Sequence, residues 1–223
     1  MQYVLSLFSI IFLFSCQSPG ENTVAQASLT VEPTAFTEAQ KAQLDTATFA
    51  GGCFWCTEAV FERVRGVESV VSGYTGGEQP DPTYEAVSAG QTTHAEAVQV
   101  YYDPEQITYS ELVKIFMGTH DPTQLNRQGP DVGEQYRSAI YYRGSEEKAV
   151  VEQYIQELGE SGKYDDPIVT QVQPFGTFYD AEAYHQNYYE NNPSNPYIMT
   201  VAKPKVKKFK KNFGDYLKDK ASS

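Results

Sequence analysis

The stretch 46-TATFAGGCFWCTEAV-60 contains the junction that decides the fold. Residues 46–50 have the composition of a short strand, and Gly51-Gly52 interrupts it. Apolar residues at helical spacing follow, namely Cys56, Val60, Val64 and Val67. The stretch therefore predicts a strand, a tight turn and a helix, with Cys53 at the start of the helix.

Strand and helix patterns alternate along the rest of the chain. Further strands are predicted at 68–74, 94–102, 138–142 and 168–172. Further helices are predicted at 108–118, 146–158 and 180–189, and Thr108 with Glu111 would form a capping box for the first of them. These elements predict one mixed domain of the α/β or α+β class.

Composition excludes several classes of protein. The chain has 223 residues, of which 40% are hydrophobic and 21% charged, values that exclude a disordered, collagen-like or multi-span membrane protein. Its net charge of −12 argues against nucleic-acid binding, because phosphates would be repelled. Three cysteines are too few, and odd in number, for a disulfide framework.

The first cysteine lies at the end of an N-terminal apolar run. Residues 4–14 read VLSLFSIIFLF, a run too short to span a bilayer but typical of a signal peptide. The following Leu13-Phe14-Ser15-Cys16 resembles a bacterial lipobox, although a buried N-terminal strand or helix is an alternative. We expect a signal peptide at 1–15, a lipidated N-terminus and flexible tether at 16–45, and a folded domain at 46–223. The protein would then be anchored in the bacterial cell envelope by a lipid on Cys16.

The C-terminal segment 203–220 is strongly basic, with eight lysines and two aspartates. Apolar residues recur in it at intervals of three and four: Val206, Phe209, Phe213 and Tyr216. Such an amphipathic helix could attach to anionic lipid or to an acidic partner. We favour a docked helix whose lysines are solvated.

Cys53 and Cys56 form a CxxC pair at the predicted helix start. Free backbone N–H groups there would favour a thiolate on Cys53, and Cys56 is close enough for a local disulfide. CxxC is also half of a zinc site, but the only histidines are scattered at His94, His120 and His185. Two inert core thiols are a further alternative.

Two other features contain residues that could take part in a reaction. Glu96 shares a strand face with Val98 and Val100, so it is either a packed, protonated acid or an exposed carboxylate at a frayed strand end. Residues 120–138 form a long polar segment without a structural period, and loops of that length in compact domains are often functional.

An ordered set of motifs resembles the peptide methionine sulfoxide reductase A family. The motifs are GCFWC at 52–56, PTYEAV at 82–87, HAEAVQVYYDP at 94–104, HDPTQLNRQGPDVGEQYRS at 120–138 and AEAYHQNYY at 181–189. The resemblance covers roughly residues 46–217. It implies a two-layer sandwich with a ferredoxin-like mixed β-sheet core, and reduction of the S epimer of methionine sulfoxide, free or in proteins.

The resemblance also implies residue roles. Cys53 matches the catalytic cysteine and Glu96 the catalytic acid. Substrate binding would fall to Phe54 and Trp55 (an aromatic wall for the methyl group), Tyr84 and Tyr136 (hydroxyls for the sulfoxide oxygen) and Asp131 (a polar support). No metal or prosthetic cofactor is implied.

The implied cycle leaves Cys53 as a sulfenic acid, which a second thiol must resolve. Many family members carry that thiol near the C-terminus after a Pro-Tyr pair, but here Pro196-Tyr197 precedes Ile198. Cys56 is the other thiol of the domain, so we expect a Cys53–Cys56 disulfide recycled by a thioredoxin-like protein. The expected partners are oxidised proteins, that reductant and a membrane, with the protein itself a monomer.

Two other functions fit parts of this pattern. A general thiol–disulfide oxidoreductase would need the CxxC pair but not Glu96 or the tyrosines. A lipid-anchored module that binds oxidised methionine without turnover would not need Cys53. The histidines receive no chemical role, and structural hydrogen bonding is expected for all three.

Overall fold

The computed structural model describes residues 44–218. The predicted signal peptide, Cys16 and the predicted tether as far as residue 43 lie outside the described residues, and so does the end of the basic segment. Asp45, which was placed at the end of the tether, is the first residue of β1. Strand β1 (Asp45–Gly51) is followed by α1 (Phe54–Phe61), which confirms the predicted strand, turn and helix. The sheet is completed by β2 (Val67–Thr75), β3 (Ala95–Tyr102), β6 (Ser138–Tyr142), β7 (Gln171–Pro174) and β8 (Phe178–Asp180).

The six strands form one mixed sheet in the order β7-β6-β1-β3-β2-β8. All neighbours are antiparallel except β6 and β7, which are parallel. The described helices also include α2 (Tyr84–Ser88), α3 (Tyr109–Thr119), α4 (Ser145–Glu160), α5 (Tyr188–Asn191) and α6 (Lys203–Asn212). This arrangement confirms the predicted mixed α/β class.

The main core lies on one face of the sheet. Its members come from alternate positions of β3 and from the covering helices, including Val98, Val100, Val60, Phe116 and Phe209. The opposite face carries a smaller cluster of mostly alanines, among them Ala95 and Ala97 of the same strand. Since side chains alternate along a strand, Glu96 points into the larger core.

Three predicted elements differ from the structure. Helix α1 ends at Phe61, and Gly66 (φ +74°) lies in the turn that leads into β2. Val64 instead forms a bridge to Leu217, and Val67 starts β2, so both are buried without being helical. Of the predicted strand 168–172, only the last two residues belong to β7.

The predicted helix 180–189 does not form. The segment contains the end of β8, a single 3₁₀ turn at Ala183–His185 and the start of α5. Asn187 adopts a left-handed conformation (φ 55°), and its N–H donates to Glu58 Oε1 at 3.0 Å. Tertiary hydrogen bonds thus replace the helical ones.

Two further segments differ from the prediction: residues 120–138 contain regular structure, and the C-terminal helix is shorter. The long segment 120–138 contains a small hairpin of β4 (Arg127–Gln128) and β5 (Asp131–Val132) and a 3₁₀ turn. Helix α6 ends at Asn212, so Tyr216 lies in a separate 3₁₀ turn. No helix among residues 44–218 is long and apolar enough to cross a membrane.

Candidate active site

The turn before α1 requires glycine. Gly52 has φ +90°, and a Cβ there would lie 2.6 Å from Gln128 Cβ, so both its backbone conformation and the available space exclude a side chain. The turn delivers Cys53 to the N-cap position of α1, and Cys56 N–H donates to the Cys53 carbonyl at 3.1 Å. Both cysteines are free thiols and both are buried.

The two thiols differ in acidity. Burial raises the pKa of Cys53 well above its ordinary value, and the neighbouring Cys56 adds to the rise. The pKa of Cys56 is lowered, first by the hydrogen bond from Cys53 and then, against burial, by the positive charge of Lys205. This direction is opposite to the thiolate on Cys53 that the helix start led us to expect.

Glu96 is joined to the same helix start. Its Oε2 accepts the backbone N–H of Phe54 at 3.1 Å, and only 2% of the residue is exposed. Burial raises the pKa of Glu96 to about 8, so the carboxyl group is mainly protonated at neutral pH. The packed position predicted from strand alternation is confirmed, and the alternative of a frayed strand end is wrong.

Two tyrosine hydroxyls lie within electrostatic range of Glu96 and Cys53. Burial raises the pKa of Tyr84 to about 12, and Glu96 and then Cys53 contribute further. The pKa of Tyr136 is raised for the same reasons in the same order. Both hydroxyls thus remain protonated donors in a region that also contains the acid and the thiol.

Phe54 and Trp55 begin an aromatic cluster next to the thiol pair. Phe54 is fully buried, and its ring centroid lies 6.2 Å from that of Trp55. Trp55 stacks on Tyr188 with centroids 3.9 Å apart, and its indole N–H donates to His185 Nδ1 at 3.1 Å. The cluster forms an apolar wall with fixed ring orientations.

His185 lies at the centre of this cluster. Its ring centroid is 4.2 Å from both Tyr84 and Tyr184, and its Nε2 is buried without a hydrogen-bond partner among residues 44–218. Sequence reasoning assigned His185 no chemical role. The density of aromatic residues in 181-AEAYHQNYY-189 is the signal that could have placed it here.

Sequence reasoning missed Tyr197, which hydrogen-bonds to Asp131 and lies near Cys56. Tyr197 O–H donates to Asp131 Oδ2 at 2.6 Å, and the same hydroxyl lies 3.9 Å from Cys56 Sγ. Asp131 also contributes to the raised pKa values of Glu96 and Tyr136. Asp131 therefore connects the surroundings of both cysteines.

The other two histidines have structural hydrogen bonds, as expected. His94 accepts from Gly77 N–H at Nδ1 (3.2 Å) and its Nε2 lies 2.7 Å from the Gln79 carbonyl. His120 bonds to the Phe116 carbonyl at 2.8 Å and to Ser138 Oγ at 2.7 Å. Within the described part of the chain, no group of three or more Asp, Glu, His and Cys could hold a metal ion.

Known proteins are similar to this chain in sequence and fold. The sequence profile of the family described as peptide methionine sulfoxide reductase matches residues 45–217. A peptide methionine sulfoxide reductase MsrA of Deinococcus radiodurans is 53% identical over 174 residues, which cover 78% of this chain and 84% of the relative. The MsrA of Sulfolobus acidocaldarius is 54% identical over 172 residues, 77% of this chain and 97% of the relative.

Solved structures give the same result. The reduced form of Mxr1 from Saccharomyces cerevisiae aligns with a TM-score of 0.63 at 36% identity, covering 69% of this chain and 88% of that one. Methionine sulfoxide reductase A of Corynebacterium diphtheriae aligns with a TM-score of 0.61 at 40% identity, covering 68% and 76%. The chain therefore belongs to the peptide methionine sulfoxide reductase family and is an oxidoreductase that reduces peptide methionine sulfoxide.

Proposed function

We propose that this protein reduces the S epimer of methionine sulfoxide, free or in proteins, with Cys53 as the nucleophile and Glu96 as the acid. The supporting observation is the 3.1 Å hydrogen bond from Phe54 N–H to Glu96, which holds a buried, protonated carboxyl at the residue next to Cys53. Phe54 and Trp55 would hold the substrate methyl group. Tyr84 and Tyr136 would donate hydrogen bonds to the sulfoxide oxygen, with Asp131 as a polar support.

In the proposed first step, Cys53 sulfur attacks the substrate sulfur while Glu96 protonates the sulfoxide oxygen. The Glu96 carboxylate left by this donation takes up the proton of the Cys53 thiol, so the acid is restored. The oxygen is transferred, so the substrate sulfur gains two electrons and leaves as methionine. Cys53 loses two electrons and becomes a sulfenic acid.

In the second step, Cys56 condenses with the sulfenic acid to give a Cys53–Cys56 disulfide and water. Two observations support this pairing: the free cysteines are three residues apart at the start of α1, and each thiol shifts the pKa of the other. A thioredoxin-like protein would then reopen the disulfide by thiol exchange. The electrons would come from that dithiol, with no metal or prosthetic group.

The acid role can be tested with Glu96→Gln, which keeps the shape of the side chain but removes the proton. We expect methionine formation to fall by about 10² to 10⁴-fold, the usual contribution of a general acid. Thiol–disulfide exchange of the CxxC pair should change little. Methionine formation would be measured on the S and R epimers of a methionine sulfoxide peptide with dithiothreitol as the reductant, and exchange would be measured on a disulfide substrate.

Glu62→Gln is a matched control. Glu62 is at the far end of α1, and burial raises the pKa of its carboxyl group to about 7. Its substitution should leave methionine formation unchanged. If Glu96→Gln reduces both activities equally, or neither, the proposed acid role is wrong; turnover of neither epimer by the unmodified protein would overturn the proposed reaction.

We further propose that the protein is lipid-anchored at Cys16 in the bacterial cell envelope. The support is the sequence alone, an apolar run at 4–14 followed by Leu13-Phe14-Ser15-Cys16. Cys16→Ser should abolish incorporation of labelled palmitate and shift the protein from the membrane to the soluble fraction. Membrane association that survives Cys16→Ser would contradict the anchor.

A further inference from the structure

Lys205 of helix α6 has an unusual environment. Its Nζ atom is shielded from solvent and has no hydrogen-bond partner among residues 44–218. Burying a charged amine without a partner is costly, so an oppositely charged group is needed nearby. The other lysines of α6, such as Lys207, are exposed and do not share this environment.

The amine lies behind the CxxC turn. Lys205 and Cys56 line the same small cavity of about 10 Å³, room for about one water molecule, together with Gly51, Thr57, Val60, Phe116, Thr119 and His120. A Cβ atom built on Gly52 would be only 3.8 Å from Lys205 Nζ. The amine therefore approaches both the turn before Cys53 and the side chain of Cys56.

The titratable groups lining this cavity are Cys56, His120 and Lys205 itself. His120 is an unsuitable counter-charge, because burial lowers its pKa to about 4 and both ring nitrogens have partners. The remaining group that can carry a negative charge is the Cys56 thiol.

Other groups also face Cys56. The hydrogen bonds that link Cys56 to Cys53 and to Tyr197 lower its pKa, whereas the negative charge of Asp131 raises it. Glu96 is protonated at neutral pH, so it adds no negative charge there. Among the groups that shift the pKa of Cys56, Lys205 is the one that carries a positive charge.

We propose that Lys205 is a positioning residue that stabilises the negative charge on Cys56 and thereby speeds closure of the Cys53–Cys56 disulfide. This inference rests on the proposed function above. In the closing step the Cys56 thiolate attacks the Cys53 sulfur, the S–S bond forms and the S–O bond breaks. The departing hydroxide takes a proton and becomes water; Cys56 is oxidised and the sulfenic sulfur is reduced.

The test separates the two steps in a single turnover of the full chain without added reductant. Methionine release reports attack by Cys53, and quantification of the 53–56 disulfide by mass spectrometry after rapid quenching reports closure. In Lys205→Met, methionine release should be unchanged. The pH midpoint of the closure rate should rise by about one unit, so closure below the midpoint should slow about tenfold and recover at high pH.

Two variants serve as controls. Lys205→Arg, which keeps the charge, should restore most of the closure rate, and Lys207→Met, on the exposed side of α6, should behave like the unmodified protein. If Lys205→Met does not fold, Lys205→Gln supplies a neutral polar substitute for the same measurement. Closure with an unchanged pH midpoint in the neutral variants would overturn the role of Lys205. Absence of the 53–56 disulfide in the unmodified protein would instead overturn the proposed function.

Discussion

The two cysteines of the active site are three residues apart on one helix, yet their surroundings differ. Cys53 lies among Glu96, the aromatic wall and the tyrosine hydroxyls. Cys56 lies beside the Tyr197 hydroxyl and shares a cavity with the Lys205 amine. One side of the helix offers protons and apolar surface, and the other offers positive charge.

This difference matches the two chemical tasks of the proposed cycle. Reduction of a sulfoxide needs a proton donor and an apolar site for a methyl group, which fit the Cys53 side. Resolution of a sulfenic acid needs a thiolate, which a buried cation and donated hydrogen bonds favour on the Cys56 side. Residues so close in sequence can therefore be tuned separately by different tertiary partners.

Cys56→Ser should have the largest effect, because it removes the resolving thiol and leaves the surroundings of Cys53 in place. We expect steady-state turnover with a thioredoxin-like reductant to fall by at least 100-fold, because no second thiol of the domain can form the disulfide. One methionine per protein molecule should still form in a single turnover. Stoichiometric methionine release by chromatography, together with thioredoxin-linked NADPH oxidation, checks both statements. Loss of the single turnover as well would show that Cys56 is needed for the first step.

The pH dependence of methionine formation tests the Cys53 side. Glu96 acts in its protonated form and its pKa is raised to about 8, so the required proton is present below that pH and lost above it. The single-turnover rate should therefore fall about tenfold per pH unit well above pH 8. Stopped-flow or quench measurements from pH 6 to 10 check this, with Glu62→Gln as control. A rate that keeps rising to pH 10 would contradict the acid role.

The hydroxyls of Tyr84 and Tyr136 should have a smaller effect. Replacing either with Phe removes one donor to the sulfoxide oxygen but keeps the ring, so we expect about a tenfold lower rate of methionine formation. The rate of disulfide closure should not change. Tyr154→Phe, at a half-buried position on α4, is a control that should leave both rates unaffected. If either substitution slowed methionine formation and disulfide closure equally, the tyrosine hydroxyls would not be specific to the Cys53 side.

Sequence reasoning predicted the Cys53 side better than the Cys56 side, and the reason is physical. The strand, glycine turn and helix at 46–61 follow local rules, and the alternation of β3 places Glu96 on the same strand face as Val98 and Val100. Both depend on neighbours in sequence, as do the caps of α3. Local pattern therefore predicted the position of Cys53 and the elements of the site, and it included a packed Glu96 as one of two alternatives.

The partners of Cys56 come from distant, irregular parts of the chain. Tyr197 precedes a π-helical turn at Ile198–Ala202, and Lys205 follows it in a helix that the sequence presents as a run of similar lysines. Helical spacing places Lys205 nearer than Lys207 to the apolar face of α6, but the docking of α6 against α1 is what buries one amine and leaves the other exposed. The raised pKa of Cys53 was not predicted for the same reason, since burial depends on the whole fold.

The smallest expected effect concerns Tyr197, which tests whether the Cys53 side and the Cys56 side act independently. Tyr197→Phe removes the hydroxyl that lies 3.9 Å from Cys56 Sγ and donates to Asp131 at 2.6 Å. Losing one weak bond to sulfur should slow disulfide closure about threefold, less than loss of the Lys205 charge, and methionine release should change less than closure. Quenched single turnovers at pH 7 measure both rates. Because Asp131 also faces Glu96, a larger loss in methionine release than in closure would mean that Tyr197 acts mainly through Asp131 on the acid, and the two sides would then be coupled rather than independent.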